Sequence, residues 1–103
     1  MAAGLSNMAH YIAIVEDSGA DSAIGVWFPD LPGCFSAGDT LDEAILAAPE
    51  AVALYAEALS ESGGPLPPPR TLAALRADPA FEADVAGNLV ALISVPEELS
   101  TAA

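Results

Sequence analysis

The stretch from Leu41 to Leu59 constrains the fold most, because Leu41, Ala44, Ile45, Ala48, Val52, Tyr55 and Leu59 recur at three- and four-residue steps and lay one apolar stripe along a helix. Such a stripe has to be buried against a second element. Thr40 stands where an N-cap belongs, Glu43 three residues on completes a capping box, and Asp42 with Glu43 places negative charge at the positive helix start. Glu43, Glu50, Glu57 and Glu61 fall mainly on the other face. Pro49 lies inside the period and removes the N–H that would bond Ile45, so a kink without a break is expected. Ser62-Gly63-Gly64 ends the helix, and the run PLPPP from Pro65 to Pro69 favours an extended polyproline spacer between packed elements.

The surface for that helix comes from short β-forming runs. AHYIAIVE, Ala9 to Glu16, mixes aromatic and β-branched residues and is followed by the turn formers DSGADS. AIGVWF, Ala23 to Phe28, is stopped by Pro29 and the loop PDLPG, so these two runs read as an antiparallel hairpin. CFSA, Cys34 to Ala37, sits between Gly33 and Gly38 and allows a brief third strand. After the proline spacer, TLAALRADPAFEADVAG reads as one or two short helical pieces divided at Pro79, the second closing at Gly87. LVALISV, Leu89 to Val95, is a continuous apolar run that predicts a buried strand returning to the first sheet. The chain is therefore expected to be α+β: an antiparallel three-stranded meander plus a returning fourth strand, with one long helix packed on one face. Residues 8–97 form this domain, and 1–7 and 98–103 are expected to be flexible ends.

Face assignment follows from alternation along the strands. With Ile12, Ile14, Ile24, Val26 and Phe28 turned to the helix, Tyr11, Ala13, Val15 and Trp27 turn away and form an apolar patch without a cover. That patch points to a partner or a second copy, and Tyr11 and Trp27 are the candidate residues of a homo-oligomer interface, since Tyr and Trp anchor interfaces generally.

Charge narrows the function. Fifteen carboxylates oppose two arginines, Arg70 and Arg76, for a formal net charge of −13. Nucleic-acid affinity rests on neutralising phosphates with Lys and Arg, so direct binding of DNA or RNA by this chain is not expected. A single cysteine, Cys34, excludes an intramolecular disulfide framework, and no apolar run approaches the length of a membrane span. The expected location is the cytoplasm, away from membranes.

An enzyme needs a constellation of groups, and none assembles here. His10 is the lone histidine, at a strand start with no nucleophile near in sequence, and Cys34 reads as a buried structural thiol. Asp30, Asp39 and Glu43 would be the candidates for a metal site, but capping and turn formation account for each of them. No catalytic residue, metal or cofactor is expected. Asp30 and Leu31, displayed at the Pro29 turn, are the preferred contact pair for a partner, one for a basic residue and one for an apolar notch. Asp17 and Asp21 read first as solvated turn residues and beyond that as further carboxylates for the same partner.

The run AIGVWFPDLPGCFSAGD, continued by TLDEAILAAPEAVALYAEAL and GGPLPPPRTL, resembles the HicB-like antitoxin domain across roughly Met8 to Glu97. The resemblance implies a partial ribonuclease-H-like sheet carrying the long helix. It also implies a role in a toxin–antitoxin pair: binding a small basic HicA-like RNase, covering its catalytic histidine region and so stopping mRNA cleavage. Family members commonly continue into a ribbon-helix-helix or helix-turn-helix domain. No such segment follows Pro96-Glu97-Glu98-Leu99, so repression of its own operon is not expected of this chain. The alternative is a stand-alone oligomeric scaffold or ligand-binding module that kept the fold without a toxin.

Overall fold

A computed structural model describes residues 8–17, 19 and 22–100, apart from the side chains of Glu98 and Ser100. Strands β1 (Met8–Asp17), β2 (Ile24–Phe28) and β3 (Leu31–Gly38) precede helix α1 (Leu41–Glu61). Two short helices, α2 (Leu72–Arg76) and α3 (Pro79–Val85), lead to β4 (Leu89–Pro96) and a closing 3₁₀ turn, Glu97–Ser100. The four strands form one sheet in the order β3-β2-β1-β4, and every neighbouring pair is antiparallel. This is the α+β architecture expected.

The helix ends follow their local signals. Thr40 Oγ1 accepts the Glu43 N–H at 3.1 Å, while Glu43 Oε1 reaches one residue further back and accepts the Asp39 N–H at 2.9 Å. α1 stays a single helix through Pro49. At its other end Gly63 takes a positive φ of 94°, and the Gly64 N–H donates to the Leu59 carbonyl at 3.2 Å. Thr71 and Asp78 cap α2 and α3 with their side chains, and Pro79 opens α3, where its missing N–H costs nothing.

The faces of β1 are the reverse of the expectation. Tyr11, Ala13 and Val15 pack with Val26, Phe28 and Leu31 beneath Ala44, Ala48, Val52 and Ala56 of α1, whose small side chains let the helix lie close to the sheet. Ile12 and Ile14 point the other way, against Leu75 and Phe81 of α2 and α3, with Trp27 and Val85 at the margin. Ile24, Val26, Phe28 and Trp27 take the expected sides. The register accounts for the difference: Ile14 pairs with Trp27 and Val15 with Val26, and directly opposed residues share a face. Tyr11 is therefore a core residue, 0% exposed, and the sheet face thought to be bare is covered in its middle by α2 and α3.

The proline connector carries the chain from one face to the other and is fastened on the way. Leu66 is buried in the α1 layer and the Pro67 carbonyl accepts the Tyr11 hydroxyl at 2.5 Å. Leu99 packs against the same layer and its carbonyl accepts the Leu66 N–H at 3.3 Å, so packed structure extends past the boundary at 97. Residues 1–7 lie outside the described residues.

Candidate partner-binding site

Only Pro29 and Asp30 separate β2 from β3, because Leu31 already pairs with Phe28. The ladder then skips: Trp27 pairs with Phe35, leaving Pro32, Gly33 and Cys34 as a bulge that begins β3 earlier than the run CFSA implied. Gly33 adopts a φ of 87°, where a β-carbon would be strained. Tyr55 of α1 donates its hydroxyl to the Pro32 carbonyl at 2.8 Å and ties the bulge to the helix.

Asp30 and Leu31 are not displayed. Leu31 is wholly buried under α1. Asp30 Oδ2 accepts the Arg70 backbone N–H at 2.8 Å and its Oδ1 accepts Arg70 Nε at 2.6 Å, with 7% of the side chain accessible. The carboxylate thus clamps the end of the proline connector to the β2–β3 turn. Arg70 also donates from Nη1 to Asp78 Oδ2 at 3.3 Å, and the hydrogen bond to Asp30 raises its pKa. Asp17 Oδ1 accepts the Gly19 N–H at 3.1 Å, the geometry of a solvated turn residue. Asp21 lies outside the described residues.

The exposed surface beside this turn is built by other residues. Trp27 and Phe35, neighbours across β2 and β3, form with Phe81 an aromatic-lined cleft of about 260 Å³. Phe35 is 70% exposed. Asp78 and Asp84 border the cleft from α3, with Arg70 at its margin, and among the described residues Asp84 carries no ion pair. Aromatic faces beside carboxylates suit a cationic side chain, which gains from the ring quadrupole and the negative charge together. The sequence contained the signal for Phe35, since register with Trp27 puts both on the same side. Phe81, Asp78 and Asp84 come from a helix pair fifty residues away in the chain, beyond the reach of local pattern.

Of the two chemistry-bearing side chains noted from the sequence, Cys34 borders this cleft from the bulge and His10 lies outside it. His10 Nδ1 lies 2.7 Å from Ser94 Oγ across β1 and β4, as part of an exposed cross-strand pair. Cys34 is buried, and burial pushes its thiol pKa from 9.0 to about 11. The folded state therefore holds its proton more tightly than the unfolded chain. Stability from this group is intact below pH 9, and about 2–3 kcal/mol of it is lost as pH rises towards 11. Urea midpoints measured across that range should fall more for the wild type than for Cys34→Ala, and parallel curves would refute the assignment. Asp30 stands before β3 and Asp39 and Glu43 after it, so these three carboxylates sit at opposite ends of a strand and do not converge.

Comparison with known proteins bears on this fold directly. Residues 11–101 match the family model described as the HicB-like antitoxin of bacterial toxin–antitoxin systems. The structure is similar to one described as a HicA3 and HicB3 toxin–antitoxin complex, with a TM-score of 0.65 and 30% identity over 84% of this chain and 96% of that one. It is similar to the antitoxin HicB of Burkholderia pseudomallei, again with a TM-score of 0.65, at 34% identity over 84% of this chain and 62% of that one. An uncharacterised 14.9 kDa protein from the rep-hol intergenic region of Haemophilus phage HP1 is 56% identical over 39 residues. That match spans 38% of this chain and only 29% of the phage protein.

Proposed function

The chain belongs to the HicB-like antitoxins of bacterial toxin–antitoxin systems, and from that premise we propose that it binds a small basic HicA-like toxin and occludes its RNA-cleaving site. The observation that carries this reading is the net charge of the chain, −13. The chain has fifteen carboxylates and two arginines, and Arg70 is already paired with Asp30 and Asp78. Among the described residues Arg76 is the one arginine outside an ion pair. A cationic partner is drawn in by that field, which speeds encounter and disfavours acidic competitors, while desolvated apolar contacts hold the complex.

The cleft of Trp27, Phe35 and Phe81 is the surface we assign to the toxin, with Asp84 and Asp78 receiving a lysine or arginine. Trp27 then serves this contact in place of the copy-to-copy role expected from sequence. The inhibition needs no bond chemistry from the antitoxin and no cofactor. It takes place in the cytoplasm, where the messenger RNA is.

The test is to purify the chain with the small basic protein encoded beside it and to follow RNA cleavage. A stable complex and loss of cleavage are expected at equimolar protein, with affinity falling as salt rises from 50 to roughly 300 mM. Phe35→Ala should weaken the complex about 10- to 100-fold while leaving the circular dichroism unchanged, since an exposed aromatic anchor contributes to binding and not to the fold. Absence of a complex at micromolar concentrations, with cleavage undiminished, would overturn the proposal.

A further inference from the structure

Two carboxylates border the cleft of Trp27, Phe35 and Phe81, and the fold has already used one of them. Asp78 caps α3: its Oδ1 accepts the Ala80 N–H at 3.0 Å, and its Oδ2 accepts Nη1 of Arg70 at 3.3 Å. Arg70 in turn is fixed by Asp30, whose two oxygens take its backbone N–H and its Nε. Asp84 stands six residues after Asp78, about 9 Å further along the helix. The residue is half-buried, and among the described residues its carboxylate has neither an ion-pair nor a hydrogen-bond partner. Asn88 Nδ2 donates to the main-chain carbonyl of Asp84 and leaves the carboxylate free. A carboxylate partly withdrawn from water and left unpaired gains from a cation that reaches it.

We propose that this cleft is a receptor for one arginine side chain of the partner, with Asp84 as the residue that determines specificity. The inference rests on the toxin-binding reading and narrows its cation contact to one carboxylate and one residue type. Charge excludes Asp78. A cation approaching that end of the cleft meets the Arg70 guanidinium, whose side chain is 40% exposed, whereas no arginine is paired at Asp84.

Shape selects arginine over lysine. Trp27 and Phe35 are opposed across β2 and β3, and Phe81 faces the same cleft from α3, so its walls are flat aromatic rings. A guanidinium lies flat against such a ring while its edge N–H groups donate to a carboxylate, and its weak hydration is readily given up. An ammonium keeps a tight water shell and has three hydrogens to satisfy, for which the free groups of the cleft offer the two oxygens of Asp84.

Trp27 is the one tryptophan of the chain, so its fluorescence reports directly on this cleft. Titrating the full chain with N-acetylarginine amide should give a saturable change with a midpoint of about 1–10 mM, and N-acetyllysine amide should bind at least about fivefold more weakly. Asp84→Asn keeps the shape, removes the charge and should weaken the arginine probe about tenfold. Asp78→Asn should stay within about threefold of wild type, since asparagine caps a helix as well as aspartate and the lost carboxylate was paired inside the chain. In the complex with the toxin Asp84→Asn should cost about 10- to 100-fold in affinity and Asp78→Asn less than about threefold, with circular dichroism unchanged in both. Equal binding of the two probes, or a toxin complex indifferent to Asp84→Asn, would overturn the inference and leave toxin occlusion standing. An arginine-selective cleft in a chain that forms no complex would support the receptor and count against the toxin.

Discussion

Tyr11→Ala is expected to lower the stability of the chain by about 3–5 kcal/mol, the range for removing a buried aromatic ring from a core. Tyr11 is 0% exposed and lies among Ala13, Val26 and Phe28 beneath α1. Its hydroxyl donates to the Pro67 carbonyl and ties the proline connector to the sheet. Truncation therefore opens a cavity and frees that carbonyl together. Tyr11→Phe separates the two effects: it keeps the ring and removes the hydroxyl, and should cost on the order of 1 kcal/mol. Urea denaturation followed by circular dichroism measures both. If Tyr11→Ala unfolded at the wild-type midpoint, Tyr11 would belong to an exposed face and the arrangement of β1 described above would be in error.

Tyr11 also shows where the sequence was legible and where it was not. Elements written in local chemistry were readable: the Thr40 cap, the glycine end of α1, the break at Pro79, the turn formers after β1. The phase of β1 was not, because all five residues from Tyr11 to Val15 are apolar and all are buried. A strand covered on both faces has no polar alternation to set its phase. The same run held a usable clue, since a strand apolar on both sides needs covers on both sides, and α2 and α3 supply the second. The candidate site divides in the same way. That Pro29 and Asp30 make a turn was local information; that Asp30 spends its carboxylate on Arg70, forty residues on, was not. A carboxylate in a chain with two arginines invites assignment to an outside cation, yet this one holds an inside cation.

The approach of β3 to the start of α1 sets the second large effect. Gly38 reads in sequence as strand punctuation, but its role is steric. A β-carbon there would lie 2.6 Å from the Ala44 backbone nitrogen and 2.7 Å from the Glu43 β-carbon, closer than such atoms come, and neither can swing aside as a flexible side chain would. The first turn of α1 would have to lift from the sheet. That movement would stretch the bond from Ser36 Oγ to the Ala44 carbonyl, 3.0 Å and buried, and would disturb the packing of Ala44, which is 0% exposed. Gly38→Val is thus expected to destabilise the chain by about 2–4 kcal/mol, with overpacking and a disturbed buried hydrogen bond both contributing. Gly64→Val, at a glycine where an added β-carbon meets nothing within 4 Å, serves as the control and should stay within about 1 kcal/mol of wild type. Thermal or urea unfolding of the pair decides the matter: equal midpoints would mean that α1 can settle further from β3 without loss, and that its alanine stripe does not depend on close contact with the sheet.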